Sequence, residues 1–415
     1  MIGLLVQVLS LFSGLMVNFL TPLIFGVTQY GFFIKANILV YVFHRFSDVS
    51  SESLIALNTD GSIFLQSLIF NLFYFAFFCA ISQFIDIGNP WLLGSMLLSS
   101  SVLLTLYSQR RIKAVLLFLL SVVSVFVFQA GLVWAGRLPF GIEQLMVFST
   151  YPPAIVGFLI LTWLSRHELA RLSSYTSLWR AVSVFPRMVT LTLVFNLLTN
   201  FLPYVATKIL MPREIGILRI MLAVVQSVSS IFPLNIKQIF STLVGNDKKE
   251  RLYGALMQVS AVYFLALACA ILLVAYFYPP LQDYVRLLAI LPLFFWSMLT
   301  ERLLQASRQG GRLVALNLVF AVAILGFGAI STSLDALMML YVISIAAYSN
   351  ALLHVTGLEV PVRYYLLSVA CVLQSIMIDI SLLWTLLLAL ITLVGFVYKG
   401  SSVRMDIKIL RGEIK

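Results

Sequence analysis

Charged residues are scarce in this sequence, and their scarcity excludes a soluble globular fold. Only 10% of the 415 residues are charged, whereas 61% are hydrophobic and the mean hydropathy is +1.03. A soluble domain contains about 25% charged residues and about 45–50% apolar ones. In lipid the backbone must satisfy its own hydrogen bonds, which leaves helices and closed barrels. The apolar runs are continuous rather than alternating, so they predict an all-α integral membrane fold.

Cysteine and histidine are also rare, with three residues of each. The cysteines all lie inside apolar runs, which provides neither a disulfide framework nor a zinc-binding spacing. His44 and Asp48 are one residue too close for the H-x4-D acyltransfer pattern. The sequence contains no Walker loop, zinc pair or nucleophile elbow. These absences disfavour an enzyme, and no cofactor is predicted.

Apolar runs of about twenty residues, the length that spans a bilayer as a helix, predict fourteen transmembrane helices. The last two divide a single apolar stretch that is too long for one span, with a turn at Asp379-Ile380-Ser381. The predicted spans are 4–25, 32–56, 63–85, 91–109, 114–135, 142–164, 189–210, 217–243, 255–278, 285–305, 313–331, 336–356, 364–379 and 382–398.

The positions of the basic residues predict the topology. With fourteen spans and a cytoplasmic N-terminus, eighteen Lys and Arg residues fall on the cytoplasmic side, and only Arg137, Lys208, Arg213 and Arg286 fall outside. This asymmetry follows the positive-inside rule and predicts that both termini are cytoplasmic. The net charge of +11 is therefore interpreted as topology and contact with anionic membrane lipid, not as nucleic-acid binding.

An internal repeat suggests how the spans are organised. Asn18 to Pro22 is followed by Gln29-Tyr30-Gly31, and Asn200-Phe201-Leu202-Pro203 is followed by Glu214-Ile215-Gly216, with a difference of three residues in the Asn-to-Gly spacing. Such duplication is typical of transporters in which two lobes rock around a central site. We expect two pseudo-symmetric six-helix lobes around a central cavity, plus a C-terminal helix pair.

The predicted domains follow from this division. A basic segment between the lobes is either an amphipathic helix along the cytoplasmic interface or a plain solvated loop. In order, the domains are an N-terminal lobe (1–165), a cytoplasmic linker (166–188), a C-terminal lobe (189–358), the terminal helix pair (359–400) and a cytoplasmic tail (401–415).

Polar residues inside the spans are the candidate binding residues, because ionisable groups in membranes usually face a bundle interior or a wet cavity. Two helical stripes at equivalent places in the repeats predict a lined cavity. The candidates are Lys35, Arg45, Asp48 and Glu52 in the second span, Arg219, Gln226 and Lys237 in the eighth, and Asn18 and Asn200.

Structural roles for the same residues stay open. Arg45 and Asp48 could neutralise each other, and Lys237 could extend its side chain to the cytoplasmic interface. The asparagines could form hydrogen bonds between helices instead of lining a cavity. Glu301 and Arg302 in the tenth span are interpreted as a structural or end-of-helix pair. Pro22, Pro203, Pro233 and Pro292 are expected to bend their helices, because each removes a backbone donor.

The layout resembles the polysaccharide and O-antigen flippases of the multidrug/oligosaccharidyl-lipid/polysaccharide exporter superfamily. The residues that carry the resemblance are Gln29-Tyr30-Gly31-Phe32, Arg45 and Asp48, Glu214-Ile215-Gly216, Phe232-Pro233 and Lys248-Lys249. The resemblance implies a V-shaped pair of lobes that moves an undecaprenyl-diphosphate-linked oligosaccharide across the bacterial inner membrane by alternating access. It also implies cationic lumen residues, which Arg45, Arg219 and Lys35 would supply, and it raises a polysaccharide polymerase as a partner. Coupling to H⁺ or Na⁺ is left open.

Three alternative functions stay open. A multidrug and toxin extruder (MATE) has the same superfamily layout but would favour acidic residues that bind cations. The extra helix pair is similar to that of lipid II flippases. A polytopic polysaccharide polymerase would carry large periplasmic loops, and every outer loop predicted here is short.

Overall fold

The fold is described from a computed structural model. The description covers residues 2–57, 63–85, 87–108, 112–164, 198, 202–229, 232, 249–306, 310–357 and 362–398. The predicted linker and the cytoplasmic tail lie outside these ranges. Within helices, some residues are described by their backbone alone, and these include 45–57.

The described residues form fourteen α-helices and two short 3-10 helices, and they include no β-strand. The α-helices are α1 Ile2–Phe25, α2 Val27–Leu57, α3 Ile63–Ser82, α4 Pro90–Ser108, α5 Ile112–Trp134, α6 Ile142–Leu164, α7 Leu202–Ile209, α8 Pro212–Ser229, α9 Lys249–Phe277, α10 Leu291–Ala306, α11 Gly310–Ile330, α12 Leu334–Val355, α13 Val362–Ile380 and α14 Leu382–Tyr398. The 3-10 helices, Pro279–Tyr284 and Leu288–Ile290, connect α9 to α10.

Six of the described helices are long and apolar enough to cross a membrane, namely α5, α6, α9, α11, α12 and α13. Shorter apolar segments lie in five more, α1, α3, α4, α10 and α14. Many large apolar side chains in these helices are exposed, including Phe128, Trp163, Val322 and Ile391. Such surface is stable in lipid and not in water, so the chain is a multi-pass membrane protein.

The chain divides into two compact units, Met1–Arg219 and Ile220–Lys415, with the boundary inside α8. In unit 1, α4, α5 and α6 enclose an apolar core of Val102, Leu106, Val115, Phe118, Leu119 and Leu161. α1 packs on α5, and α2 packs on α4. This arrangement holds α2 between the unit's core and the start of α8.

Unit 2 is held by aromatic and polar contacts. The rings of Phe232, Phe264 and Phe295 pack against one another, with centroids 4.8–6.0 Å apart. Fully buried Trp296 donates to the Ser260 hydroxyl at 3.0 Å. A buried polar contact of this kind fixes one arrangement of apolar helices, because the alternative is an unpaired donor in a low-dielectric interior.

The predicted turn between the last two spans is confirmed. α13 ends at Ile380, α14 begins at Leu382, and Gln374 Nε2 donates to Thr392 Oγ1 at 3.3 Å. A continuous helix would hold these two residues about 27 Å apart at 1.5 Å per residue. The two helices therefore form an antiparallel hairpin, which packs on α9 through a hydrogen bond from Gln258 to the Phe396 carbonyl.

The expectation that Pro292 bends its helix is wrong. The predicted span 285–305 begins too early, because residues 288–290 are 3-10 and α10 starts only at Leu291. Pro292 therefore occupies the first turn, where the backbone N–H has no partner within the helix and the fixed φ of proline suits helix initiation. Pro22 does lie inside its helix, and Pro233 lies outside the described residues.

Candidate functional site

The candidate site lies in unit 1, where α8 passes α2. Arg219 is seven residues into α8, and its guanidinium carbon is 5.0 Å from the centroid of the Tyr41 ring. A guanidinium over an aromatic face is attracted by the negative face of the ring, and more strongly when water is excluded. The ring therefore holds the cation in place without neutralising it.

Two further groups complete this cluster, which we call the Arg219 cluster: Asn18, Tyr30, Tyr41 and Arg219. Tyr30 is only 1% exposed, and its hydroxyl donates to Asn18 Oδ1 at 2.7 Å. The same hydroxyl lies within interaction distance of the Arg219 guanidinium. Three helices, α1, α2 and α8, therefore bring their polar side chains together in unit 1.

Two donors of the guanidinium are unused within the part of the chain that the structure describes. Its Nε and Nη1 atoms are buried, and neither has a hydrogen-bond partner among the described residues. Arg is ionised at any physiological pH, and its donors form a planar fork that matches carboxylate and phosphate oxygens. A buried cation with unsatisfied donors is costly unless an anion completes it. The arrangement is chemically suited to binding an anion.

Close backbone packing fixes α2 against α8. A Cβ atom on Gly31 would lie 1.6 Å from the Pro212 carbonyl oxygen, and one on Gly216 would lie 2.5 Å from the Val27 carbonyl oxygen. Gly31 is the fifth residue of α2, and Gly216 is the fifth residue of α8. The two glycines of the repeated motif thus occupy equivalent positions and meet at one crossing, which sets the depth at which Arg219 reaches Tyr41.

The structure brings two of the predicted site residues together and places two others elsewhere. Asn18 and Arg219 are brought into one cluster through Tyr30. Lys35 is exposed, and within the described part of the chain it forms neither an ion pair nor a hydrogen bond. Gln226 is half-buried on the part of α8 that belongs to unit 2.

The other predicted site residues cannot be placed by their side chains. Arg45, Asp48 and Glu52 belong to α2, but only their backbone is described. Asn200 and Lys237 lie outside the described residues. Their roles remain predictions.

Sequence reasoning missed the two tyrosines of the cluster and a second polar group in unit 1. Glu143 accepts from Asn37 Nδ2 at 2.8 Å through one oxygen and from Asn89 Nδ2 at 3.0 Å through the other. The Asn89 backbone N–H donates to Asn37 Oδ1 at 2.8 Å. Partners that are 52 to 106 residues apart in the chain share no sequence spacing that would reveal them.

Unit 2 contains a buried polar cluster of its own. The Tyr348 hydroxyl is bonded to Glu301 and to Asn317, and all three residues are buried. This contact joins α10, α11 and α12. The side chain of Arg302 is outside the described part, so the predicted Glu301–Arg302 pair remains a prediction. Asn317 bonds between helices, as does Asn71, which donates to Ser101.

No protein-family model matches this sequence, and no curated protein matches it. Among solved structures, the chain is similar to the eukaryotic MATE transporter AtDTX14. The TM-score is 0.53 at 15% sequence identity, over 90% of this chain and 97% of that one. A likeness over nearly the whole of both chains shows a shared architecture, and at this identity it shows nothing about the cargo. The chain is therefore a helical multi-pass membrane protein with a MATE-like fold.

Proposed function

We propose that this chain is a transporter that moves an undecaprenyl-diphosphate-linked oligosaccharide across the bacterial inner membrane by alternating access. The cargo would enter from the cytoplasmic leaflet and leave toward the outer one, where a polysaccharide polymerase could use it. The MATE-like fold supports a transporter. The choice of an anionic cargo depends on the Arg219 cluster.

The observation that carries the proposal is that two buried donors of Arg219 have no hydrogen-bond partner among the described residues. A diphosphate crossing a low-dielectric region needs positive partners, and a bidentate contact from guanidinium to phosphate is among the stronger hydrogen-bonded pairs. The Tyr41 ring holds the guanidinium 5.0 Å from its centroid. The fork is thus oriented before the anion arrives, so less entropy is lost on binding.

A second grip is proposed for Arg45, which is one helical turn beyond Tyr41 on α2. Asp48 and Glu52 follow at intervals of three and four residues, so helical spacing places all three on one stripe. In this hypothesis Arg45 helps to hold the headgroup, and a carboxylate of the stripe competes for it when the empty transporter resets. Lys35, Gln226, Lys237 and Asn200 are proposed as weaker contacts along the path.

A second candidate, a multidrug extruder, is favoured by the neighbour's printed description as a MATE transporter. An extruder of organic cations would gain nothing from an unpaired guanidinium, because like charges repel. A lipid II flippase differs from the main proposal only in its sugars and peptide. The assay below therefore compares these three cargoes.

The test is transport by the full chain in proteoliposomes, combined with deletion of its gene in the producing cell. Deletion should abolish surface polysaccharide and leave lipid-linked units at the cytoplasmic leaflet. Arg219→Ala should lower flipping by about a hundredfold, and Arg219→Lys by about tenfold because the charge remains without the fork. Arg213→Ala, an exposed arginine on the same helix, is the control and should flip normally.

Three outcomes would contradict the proposal. Flipping by Arg219→Ala at the wild-type rate would show that Arg219 does not bind the diphosphate during transport. Export of ethidium with no effect on lipid-linked oligosaccharide would favour the extruder. Flipping of lipid II alone would replace the proposed cargo.

A further inference from the structure

Unit 1 also contains an open cavity that is separate from the Arg219 cluster. Its volume is about 530 Å³, within the range of about 300–1,000 Å³ for small-molecule sites. It lies where the end of α1 and the start of α2 meet the start of α6, and its lining includes Phe25, Gln29, Phe32, Glu143 and Gln144. On α2 these positions face away from Tyr30, Gly31 and Tyr41, because residues 29, 32, 33 and 36 follow the opposite helical stripe.

A fixed carboxylate stands at one wall of this cavity. Each oxygen of Glu143 accepts one amide hydrogen bond, from Asn37 at 2.8 Å and from Asn89 at 3.0 Å. Asn37 is fully buried. Gly88, with φ of +98°, packs so closely on α2 that a Cβ there would lie 2.7 Å from the Ala36 carbonyl oxygen. The loop before α4, which carries Gly88 and Asn89, is therefore packed tightly against α2. Because Asn37 and Asn89 are both held in place, the Glu143 carboxylate is oriented before any ligand binds.

The remaining polar groups offer both donors and acceptors. Gln144 accepts from the Gly141 backbone N–H at 2.9 Å, which leaves its NH₂ group as a donor. The Gln29 amide is exposed and makes no hydrogen bond in the described part of the chain. Each oxygen of Glu143 keeps a free lone pair. Beside them the Phe32 ring is 53% exposed.

This combination matches one class of ligand better than the others. Sugar hydroxyls both donate and accept, so they can use the carboxylate and the two amides together, while the apolar face of the sugar ring packs on Phe32. An organic cation would leave the amide donors unused, and an acidic sugar would be repelled by Glu143. We infer that this cavity is a binding subsite for an uncharged sugar residue of the transported glycan. The inference rests on the proposed function only for the origin of that sugar.

The test measures binding to the full chain in nanodiscs, with three probes. One is the neutral repeat-unit oligosaccharide released from the host's lipid-linked intermediates, one is undecaprenyl diphosphate without sugar, and one is tetraphenylphosphonium. Gln29→Leu and Phe32→Ala should each raise the Kd for the oligosaccharide about fivefold, with no change for undecaprenyl diphosphate. Arg219→Ala should instead raise the Kd for undecaprenyl diphosphate and leave the Kd for the oligosaccharide unchanged. Both substituted side chains are exposed, so the variants are expected to fold.

The control is Phe84→Ala, which removes another exposed phenylalanine of unit 1, 88% accessible, and should bind every probe as the wild type does. Unchanged oligosaccharide affinity in both Gln29→Leu and Phe32→Ala would overturn the inference while leaving flipping intact. Binding of tetraphenylphosphonium that is lost in Glu143→Gln, without oligosaccharide binding, would overturn it in favour of a cation site. Oligosaccharide binding that depends on Gln29 and Phe32, without any flipping, would support the subsite and overturn the proposed function.

Discussion

Arg219 shows how a single charged residue can be retained in an apolar unit. Its guanidinium rests on the Tyr41 ring, and two of its nitrogens lack hydrogen-bond partners among the described residues. The ring offsets part of the desolvation cost, by about 0.5–2 kcal/mol for a cation–π contact. Because these donors are unused by the described residues, they can bind an anion. The stabilising contact and the binding capacity are therefore properties of the same side chain.

Substitutions of Tyr41 test whether its ring supports anion binding by Arg219. Tyr41→Phe keeps the aromatic face and should retain undecaprenyl diphosphate binding within about twofold, whereas Tyr41→Ala should weaken that binding by about threefold to tenfold. The same binding assay in nanodiscs measures both. Equal loss in the two variants would mean that the hydroxyl, and not the ring, supports Arg219.

A second prediction at the residue scale concerns the ion pairs of Arg286 in unit 2. Its Nη1 lies 3.0 Å from Asp335 and its Nε lies 3.2 Å from Asp379, but these side chains are 31–70% exposed. Solvent screens such pairs, so Arg286→Ala should lower the free energy of unfolding by no more than about 1 kcal/mol. Thermal unfolding in detergent, with Arg137→Ala as the control, measures the change. Loss of expression in Arg286→Ala would show that the contact is needed for folding.

At the scale of helices, apolar runs located most elements to within a few residues, because a bilayer imposes a length and a hydropathy that sequence records directly. The α9–α10 connection differs from the predicted span, since Pro279 and Pro280 favour short 3-10 turns there and the next helix begins only at Leu291.

The candidate site was less predictable from the sequence than the helices were. Arg219 and Asn18 stand out as polar residues in apolar helices, but Tyr30 and Tyr41 resemble any buried aromatic residue.

The crossing of α2 and α8 gives the element-scale prediction. Gly31→Ala would place a methyl group against the Pro212 carbonyl, and that backbone cannot rotate away as a side chain would. We expect a destabilisation of about 1–3 kcal/mol and loss of the Arg219–Tyr41 contact. Gly254→Ala lies in α9, where no described residue outside its own helix comes within 4 Å of the added carbon. It should instead be neutral or stabilising by up to about 1 kcal/mol. Thermal unfolding distinguishes them, and equal stability of the two variants would contradict the tight crossing.

At the scale of the whole chain, helix direction can be checked against the topology predicted from basic residues. That topology puts Arg286, the start of α12 and the end of α13 on the outer side. In unit 2 Arg286 does contact both Asp335, at the start of α12, and Asp379, at the end of α13. Contacts within one unit do not fix the total number of spans, which requires a measurement of sidedness.

Cysteine labelling provides that measurement, because three native cysteines are few enough to replace: Cys79, Cys269 and Cys371. In intact cells a membrane-impermeant maleimide should label Arg137→Cys and Asp283→Cys, both exposed and predicted outside. It should not label Lys113→Cys or Arg312→Cys, which are exposed but predicted inside, until the cells are permeabilised. Labelling of Arg312→Cys together with Arg137→Cys in intact cells would mean an even number of spans between them, whereas the predicted topology has five. Two six-helix lobes with both termini in the cytoplasm would then be ruled out. The alternating-access mechanism would lose the two-lobe symmetry that supports it.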